Sequence, residues 1–263
     1  GRLHPAPPVE GATQAPMMSN GIPQGIFITG TDTGVGKTVV AAGLAALFRK
    51  NGLDVGVMKP IQTGCISRRG ERIAADARFL LRAAGADDPM DQVCPYRFKI
   101  PAAPLVAAEH EGATIDLDRI EDAYRRLSSR HRVMVVEGIG GLLTPITPTA
   151  TAMDLALRLK LPLIIVAHTR LGTLNHTLLT ARYAQQSGAT VMGIIFNHPG
   201  RASRSLAEKT NPEVLSRLCS VPVLGTIPFM SGTSVEKGRL GRVRGLGHYL
   251  NEGLHHLGIN RGA

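Results

Sequence analysis

Short β-branched runs recur along this chain, separated by stretches with helical spacing of apolar residues. The runs fall at Ile26–Thr29, Asp54–Lys59, Arg132–Glu137, Pro162–Ala167, Thr190–Asn197 and Pro222–Ile227. Helical periods occupy Thr38–Lys50, Ile73–Ala84, Leu117–Arg130, Ala152–Leu159 and Thr173–Ser187. Runs such as Val133-Met134-Val135-Val136 and Leu163-Ile164-Ile165-Val166 do not alternate polar with apolar, so both faces of those strands must be covered. The alternation predicts an α/β fold of three layers, a mainly parallel sheet with helices on both faces, whose ligands gather at the carboxyl ends of the strands. Residues 85–116, with Pro89, Pro95, Pro101 and Pro104, break the pattern and read as a substrate-side excursion rather than a second domain. A single domain over 25–263 is expected. Residues 1–24, rich in Pro, Ala and Gly, read as a disordered leader or cloning remnant, with Met17 or Met18 as the natural start.

Composition narrows the classes without choosing one. No apolar stretch approaches the ~18 residues that would span a bilayer, and no basic-then-apolar leader marks a secretory signal. Cys65, Cys94 and Cys219 are far apart and form no C-x-x-C pair, which points to a reducing, cytoplasmic compartment and away from disulfide or zinc frameworks. A formal charge of +10 suits anionic ligands. The basic residues are scattered, Trp is absent and aromatics make up 4%, so no stacking platform for nucleic acid is expected. The segment from Lys237 to Ala263 reads as a solvated basic tail, and His176 and the His255-His256 pair have no companions at metal-ligand spacing.

The first strand runs into Gly30-Thr31-Asp32-Thr33-Gly34-Val35-Gly36-Lys37-Thr38, and a helical period follows at once. A strand, a Gly-rich turn and a helix in that order form a P-loop, in which backbone N–H groups at a helix N-terminus wrap phosphate. The expectation is therefore a P-loop NTPase-like fold that binds a nucleotide. Lys37 would reach the β- and γ-phosphates, and the Thr38 hydroxyl would ligate Mg²⁺.

Other strand ends carry polar residues on the same side. Lys59 closes the second strand, with Thr63 just beyond it, and suits stabilisation of charge on a transferred phosphoryl group. Glu137 closes the third, before Gly138-Ile139-Gly140-Gly141, and offers Mg²⁺ an oxygen ligand; the alternative is a structural carboxylate. Asp76 lies on an otherwise apolar helix start, where a negative charge is ordinary. Asn197 closes the fifth strand, and its amide can pair with an adenine edge or simply end the strand.

Gly30–Thr38, Lys59-Pro60-Ile61-Gln62-Thr63-Gly64, Val136–Gly141, Leu171–His176 and Ile227-Pro228-Phe229 occur in this order, and the chain resembles the dethiobiotin synthetase family over roughly residues 25–230. The resemblance implies a cyclo-ligase of biotin synthesis. In that reaction 7,8-diaminononanoate takes up CO₂ as a carbamate, ATP phosphorylates the carbamate, and the second amine closes the ureido ring. It further implies a Mg²⁺-dependent homodimer with the diamine at the interface. On this resemblance Gly34, Val35, Gly36, Lys37, Thr38 and Val39 hold the phosphates, while Gly138, Ile139 and Gly140 line the nucleotide. Thr38, Asp76 and Glu137 surround Mg²⁺, and Lys59 steadies carbamate and γ-phosphate together with Lys37. Thr33 and Thr63 face the diamine. Asn197, Pro228, Phe229 and Met230 contact adenine, and Glu236 the ribose. Gly172, Thr173 and Asn175 meet the neighbouring subunit's substrate carboxylate. A partitioning-type switch ATPase shares the fold but carries a lysine where this chain has Asp32, and no cysteine-dependent glutaminase half is expected.

Overall fold

The structure is a computed structural model that describes residues 23–200 and 205–250. Its centre is a six-stranded sheet: β1 (Gly25–Gly30), β2 (Val55–Met58), β3 (Val133–Glu137), β4 (Leu163–His168), β5 (Val191–Asn197) and β6 (Val223–Ile227). The spatial order is β6-β5-β4-β1-β3-β2, and every adjacent pair is parallel. All six strands fall where the apolar runs predicted them. The chain leaves β1 toward β3 and β2, then returns across it to β4, so the connections reverse beside β1 and open a crevice at its carboxyl end.

Among the described residues eight α-helices connect and cover the strands: α1 (Lys37–Lys50), α2 (Ala75–Ala84), α3 (Met90–Val93), α4 (Pro104–His110), α5 (Leu117–Ser128), α6 (Ala152–Arg158), α7 (Thr173–Gln186) and α8 (Leu206–Leu218). The two faces can be read along β4. Ile164 and Val166 join the large core with Val40, Leu44 and Phe48 of α1, whereas Ile165 and Ala167 join a second cluster with Ala181 of α7 and Leu215 of α8. Successive side chains point to opposite faces of a strand, so the unbroken apolar run on β4 serves two cores at once.

The structure departs from the expected pattern in three places. The helix expected from Ile73 starts at Ala75, because Ile73 pairs with Ile66 in a hairpin of Ile66–Arg68 with Glu71–Ile73. Its two-residue turn, Arg69-Gly70, has φ of 52° and 81°, the positive values that match the twist of paired strands. The excursion over 85–116 is more regular than its prolines suggest. It holds α3, α4 and a short strand, Tyr96–Arg97, that pairs in parallel with Ile61–Gln62. Lastly, the basic segment is a solvated tail only in part. Leu240, Val243, Leu246 and Leu250 enter the main core, and a 3₁₀ turn over Val243–Tyr249 packs on α1. Of the leader expected over residues 1–24, residues 1–22 lie outside the described residues, as do 251–263 with the His255-His256 pair, whereas Pro23 is buried and the Gln24 carbonyl accepts from the Met134 N–H at 2.9 Å.

Candidate functional site

The carboxyl edge of the sheet collects nearly every residue singled out from the sequence. The P-loop leaves β1 at Gly30, where the Thr31 N–H bonds the carbonyl of Val166 on β4 at 3.0 Å. The loop reaches α1 at Gly36, whose φ of 97° is left-handed and which has no side-chain cap. Bare N–H groups at a helix start are the donors a phosphate needs. The amide of Asn197 bonds the Val35 carbonyl at 2.9 Å, and a β-carbon on Gly36 would come within 2.1 Å of that amide nitrogen. Asn197 is therefore a buried strut under the P-loop. Its position in register with Ile227 also sets it beside the Pro228-Phe229-Met230 stretch, of which Phe229 is exposed and Met230 buried.

Lys37 is nearly enclosed, and its ammonium donates to the Asp32 carbonyl at 2.8 Å. Burial and the neighbouring Lys59 pull its pKa down to about 8, against the opposing pull of Glu137, Asp32 and Asp76.

Lys59 lies at the end of β2 and is 3% exposed. Its backbone N–H is tied to the Val93 carbonyl at 2.8 Å, so the end of α3 fixes the strand end that carries it. Its ammonium donates to Glu137 Oε1 at 2.7 Å and to the Gly138 carbonyl at 2.9 Å, and it lies 3.5 Å from Asp76 Oδ2. Thr38 donates its hydroxyl proton to the same Glu137 Oε1 at 2.8 Å. Four elements thus converge on one cluster, α1 through the half-buried Thr38, β2 through the buried Lys59, α2 through the half-buried Asp76 and β3 through the buried Glu137.

Burial pulls the Lys59 ammonium down, but Glu137 and Asp76 outweigh it and hold its pKa above the ordinary lysine value. Burial pushes Glu137 up, against the pull of Lys59 and Thr38. Two donors on one oxygen describe a carboxylate paired with an ammonium, less acidic than an exposed glutamate. The other oxygen, Glu137 Oε2, is buried and has no hydrogen-bond partner. Such an orphan acceptor is costly unless something meets it.

The remaining expected residues are distributed unevenly. Thr33 is exposed and donates its backbone N–H to Asp32 Oδ1 at 2.6 Å, while Thr63 is half-buried on the segment that pairs with 96–100. Ile139 and Gly140 are half-buried beside the closed strand end at Gly138. Gly172 and Thr173 begin α7 beyond β4. The Thr173 hydroxyl is buried against Thr177, so this helix start offers its backbone and the exposed Asn175, not the Thr173 side chain. Glu236 is exposed, and its carboxylate accepts from the Ser234 hydroxyl, away from the phosphate cluster's bonds.

Sequence reading missed two positioning groups. The buried Gln62 amide oxygen accepts from the Ala77 N–H at 3.4 Å, next to Asp76, and so seats the first turn of α2. Asn211 of α8 donates to the carbonyls of Thr169 and Arg170, holding the turn that leads into α7. Neither has a local signal, because each partner is distant along the chain. The thiols have no part in the cluster: burial pushes Cys65 up to about 11 and Cys94 higher still.

Comparison with known proteins finds relatives at the level of sequence and of fold. A family model described as an AAA domain matches residues 24–237. The chain is 42% identical over 212 residues to the ATP-dependent dethiobiotin synthetase BioD of Bacillus licheniformis, covering 80% of this chain and 88% of that one. It is 39% identical over 224 residues to the BioD of Thermodesulfovibrio yellowstonii, covering 82% and 92%. Among solved structures, a ParA family ATPase of Chlorobium tepidum superposes with a TM-score of 0.55 at 15% identity, covering 88% of this chain and 99% of that one. The septum site-determining protein MinD of Pyrococcus horikoshii, complexed with Mg-ADP, gives 0.52 at 15%, covering 89% and 94%. At that identity the switch ATPases share the P-loop NTPase fold alone. The synthetases are far more similar in sequence and match over most of both chains, and the chain belongs to the ATP-dependent dethiobiotin synthetase family.

Proposed function

We propose that this chain is an ATP- and Mg²⁺-dependent dethiobiotin synthetase of biotin biosynthesis, a carbon–nitrogen ligase. It joins CO₂ to 7,8-diaminononanoate and closes the ureido ring, forming ADP and phosphate. One observation carries the reading: a buried lysine at a strand end, beside the P-loop, flanked by two carboxylates.

The chemistry sets the demands. One amine adds to CO₂ and loses a proton, giving a carbamate. A carbamate oxygen then attacks the γ-phosphorus and ADP leaves. The second amine attacks the carbamoyl carbon and phosphate leaves. The phosphoryl step brings two anions together, so positioning and electrostatics must offset their repulsion. The backbone of Gly34–Val39 cradles the phosphates and Lys37 follows the transferred group. Lys59, protonated and close to Lys37, steadies the carbamate against the γ-phosphate. Thr33 and Thr63 face the diamine, and Asn197 with 228–230 borders the base.

The Thr38 hydroxyl with Asp76 and Glu137 would hold Mg²⁺. All three donors are oxygen, and Glu137 Oε2 is a buried acceptor that a cation would satisfy. Among the described residues no cluster of His, Cys, Asp and Glu forms a complete cage. That suits an ion that completes its shell with phosphate oxygens and water. When bound, it neutralises charge on the phosphates. The assembly is a homodimer in which the start of α7, Gly172–Asn175, receives the carboxylate of the substrate held by the partner. The protein works in the cytoplasm on small molecules, without nucleic acid or membrane. Among the described residues no helix is long and apolar enough to cross a membrane.

The test is mass spectrometry of a mixture of protein, ATP, Mg²⁺, bicarbonate and 7,8-diaminononanoate. Dethiobiotin should form only with the diamine present and vanish in Lys59→Met, while nucleotide affinity changes by less than about tenfold, about 1.4 kcal/mol. ATP hydrolysis stimulated by DNA or lipid, without product, would replace this reading with a switch ATPase.

A further inference from the structure

Two of the three groups proposed to hold Mg²⁺, Glu137 and Asp76, flank the Lys59 ammonium, and the third, Thr38, bonds the same Glu137 oxygen. Lys59 Nζ bonds Glu137 Oε1, which also takes the Thr38 hydroxyl proton, and Asp76 Oδ2 lies 3.5 Å away. The ammonium thus sits between the two carboxylates as a cation would. It cannot remain there beside a divalent ion, because like charges this close in a buried site repel strongly. Meanwhile Lys59 is also the group proposed to reach the carbamate, and its present bonds to Glu137 and Gly138 turn it toward the protein's own acceptors.

We propose that Lys59 is an internal stand-in for the metal: its ammonium fills the cation position of the ligand-free site and is released toward the substrates when the divalent ion enters. The proposal rests on the reading of Thr38, Asp76 and Glu137 as metal ligands. Lys59 keeps its proton throughout and only its partners change. Two consequences follow. The ammonium balances the buried Glu137 carboxylate without metal, so that carboxylate does not have to find an ion in order to fold. Metal affinity is low until phosphates arrive to supply the missing negative charge. The lysine therefore becomes available to the carbamate only when nucleotide and metal are both in place, which guards against release of Lys59 in the absence of the phosphoryl donor.

The test uses Mn²⁺ as probe on the full chain without nucleotide, reading free Mn²⁺ by electron paramagnetic resonance. Lys59→Met keeps the chain length and removes the charge, and it should bind Mn²⁺ at least about tenfold more tightly than the unaltered protein. That gain should disappear in Lys59→Met/Glu137→Gln, which locates the ion. Equal or weaker binding by Lys59→Met overturns the stand-in. If Mn²⁺ bound with ADP is also indifferent to Glu137→Gln and Asp76→Asn, the metal reading falls with it. Should Lys59→Met fail to fold, the unaltered protein decides through the ¹⁵Nζ resonance of Lys59. The signal should move when Mg²⁺ is added to protein saturated with a non-hydrolysable ATP analogue, and an unmoved signal leaves Lys59 on Glu137 and overturns the proposal.

Discussion

Lys37 and Lys59 are two lysines of one buried site pushed in opposite directions, and the difference lies in their neighbours. Lys59 bonds a carboxylate, whereas Lys37 has only the Asp32 carbonyl and feels Lys59 as a like charge. Removing either member of the Lys59–Glu137 pair leaves an uncompensated buried charge, at about 3–5 kcal/mol. Lys37 makes a pH prediction. Its pKa of about 8 in the free protein must rise when phosphates surround it. Below pH 8 the ammonium is present before binding, and this group adds no pH dependence. Above it each bound nucleotide must take up a proton, so affinity falls by up to about tenfold per pH unit. Folding has the opposite sign. Between about 8 and the unfolded value of 10.5 the unfolded chain holds this proton more often, so this group's contribution to stability rises with pH. Titration calorimetry with ADP from pH 6.5 to 9.5, in two buffers of different ionisation enthalpy, should show affinity constant to about pH 7.5 and proton uptake above 8. A flat affinity curve across pH 8, with no proton uptake, would mean that Lys37 gains no proton when nucleotide binds.

Among the elements, the packing of α1 is the most sharply defined. Its length separates the P-loop from the 3₁₀ turn over Val243–Tyr249, and the two meet at Gly43. A β-carbon there would lie 2.2 Å from Leu246 Cδ1 and 2.8 Å from Leu246 Cβ, so rotating the leucine cannot clear it and the turn must move. Helix propensity alone makes Gly43→Ala favourable by about 1 kcal/mol, while overpacking a filled core costs about 1–3 kcal/mol. Packing should win, because Leu246 is fully buried. Urea denaturation should find Gly43→Ala destabilised by about 1 kcal/mol, and a stabilised variant would show that the turn contributes little. This contact also explains why the basic segment looked like a tail. Its apolar residues, Leu240, Val243, Leu246 and Leu250, are spaced three and four apart among glycines and arginines, and only packing against distant elements, α1 and β6 among them, gives them a common side.

On the scale of the molecule, the exposed leucines at and after the start of α7 matter most. Leu171 is 88% exposed and Leu179 60%, flanking the exposed Asn175. An apolar rim around the helix start is what a subunit contact would cover, in line with the proposed homodimer. Light scattering at micromolar concentration should give twice the chain mass. Leu171→Asp with Leu179→Asp should halve it and raise KM for the diamine more than KM for ATP. A monomeric unaltered protein would contradict the shared site.

Sheet, P-loop and family were legible without coordinates because their signals are local. An unbroken apolar run forces two-sided burial, a Gly-rich turn between strand and helix exposes N–H groups, and Lys59, Glu137 and Asn197 each close a strand whose end must lie on the ligand edge. What the tertiary structure decided is which of these residues touch. Nothing in the spacing of Thr38, Lys59, Asp76 and Glu137 says that one ammonium lies between the carboxylates, or that one glutamate oxygen has two donors and the other none. Likewise, Asn197 read as an adenine contact or a strand end, and neither reading foresaw its bond to the Val35 carbonyl. Those facts depend on the lateral order β2-β3-β1, which brings residues some eighty positions apart within bonding distance, and lateral order is set by the packing of the whole sheet, not by any single segment.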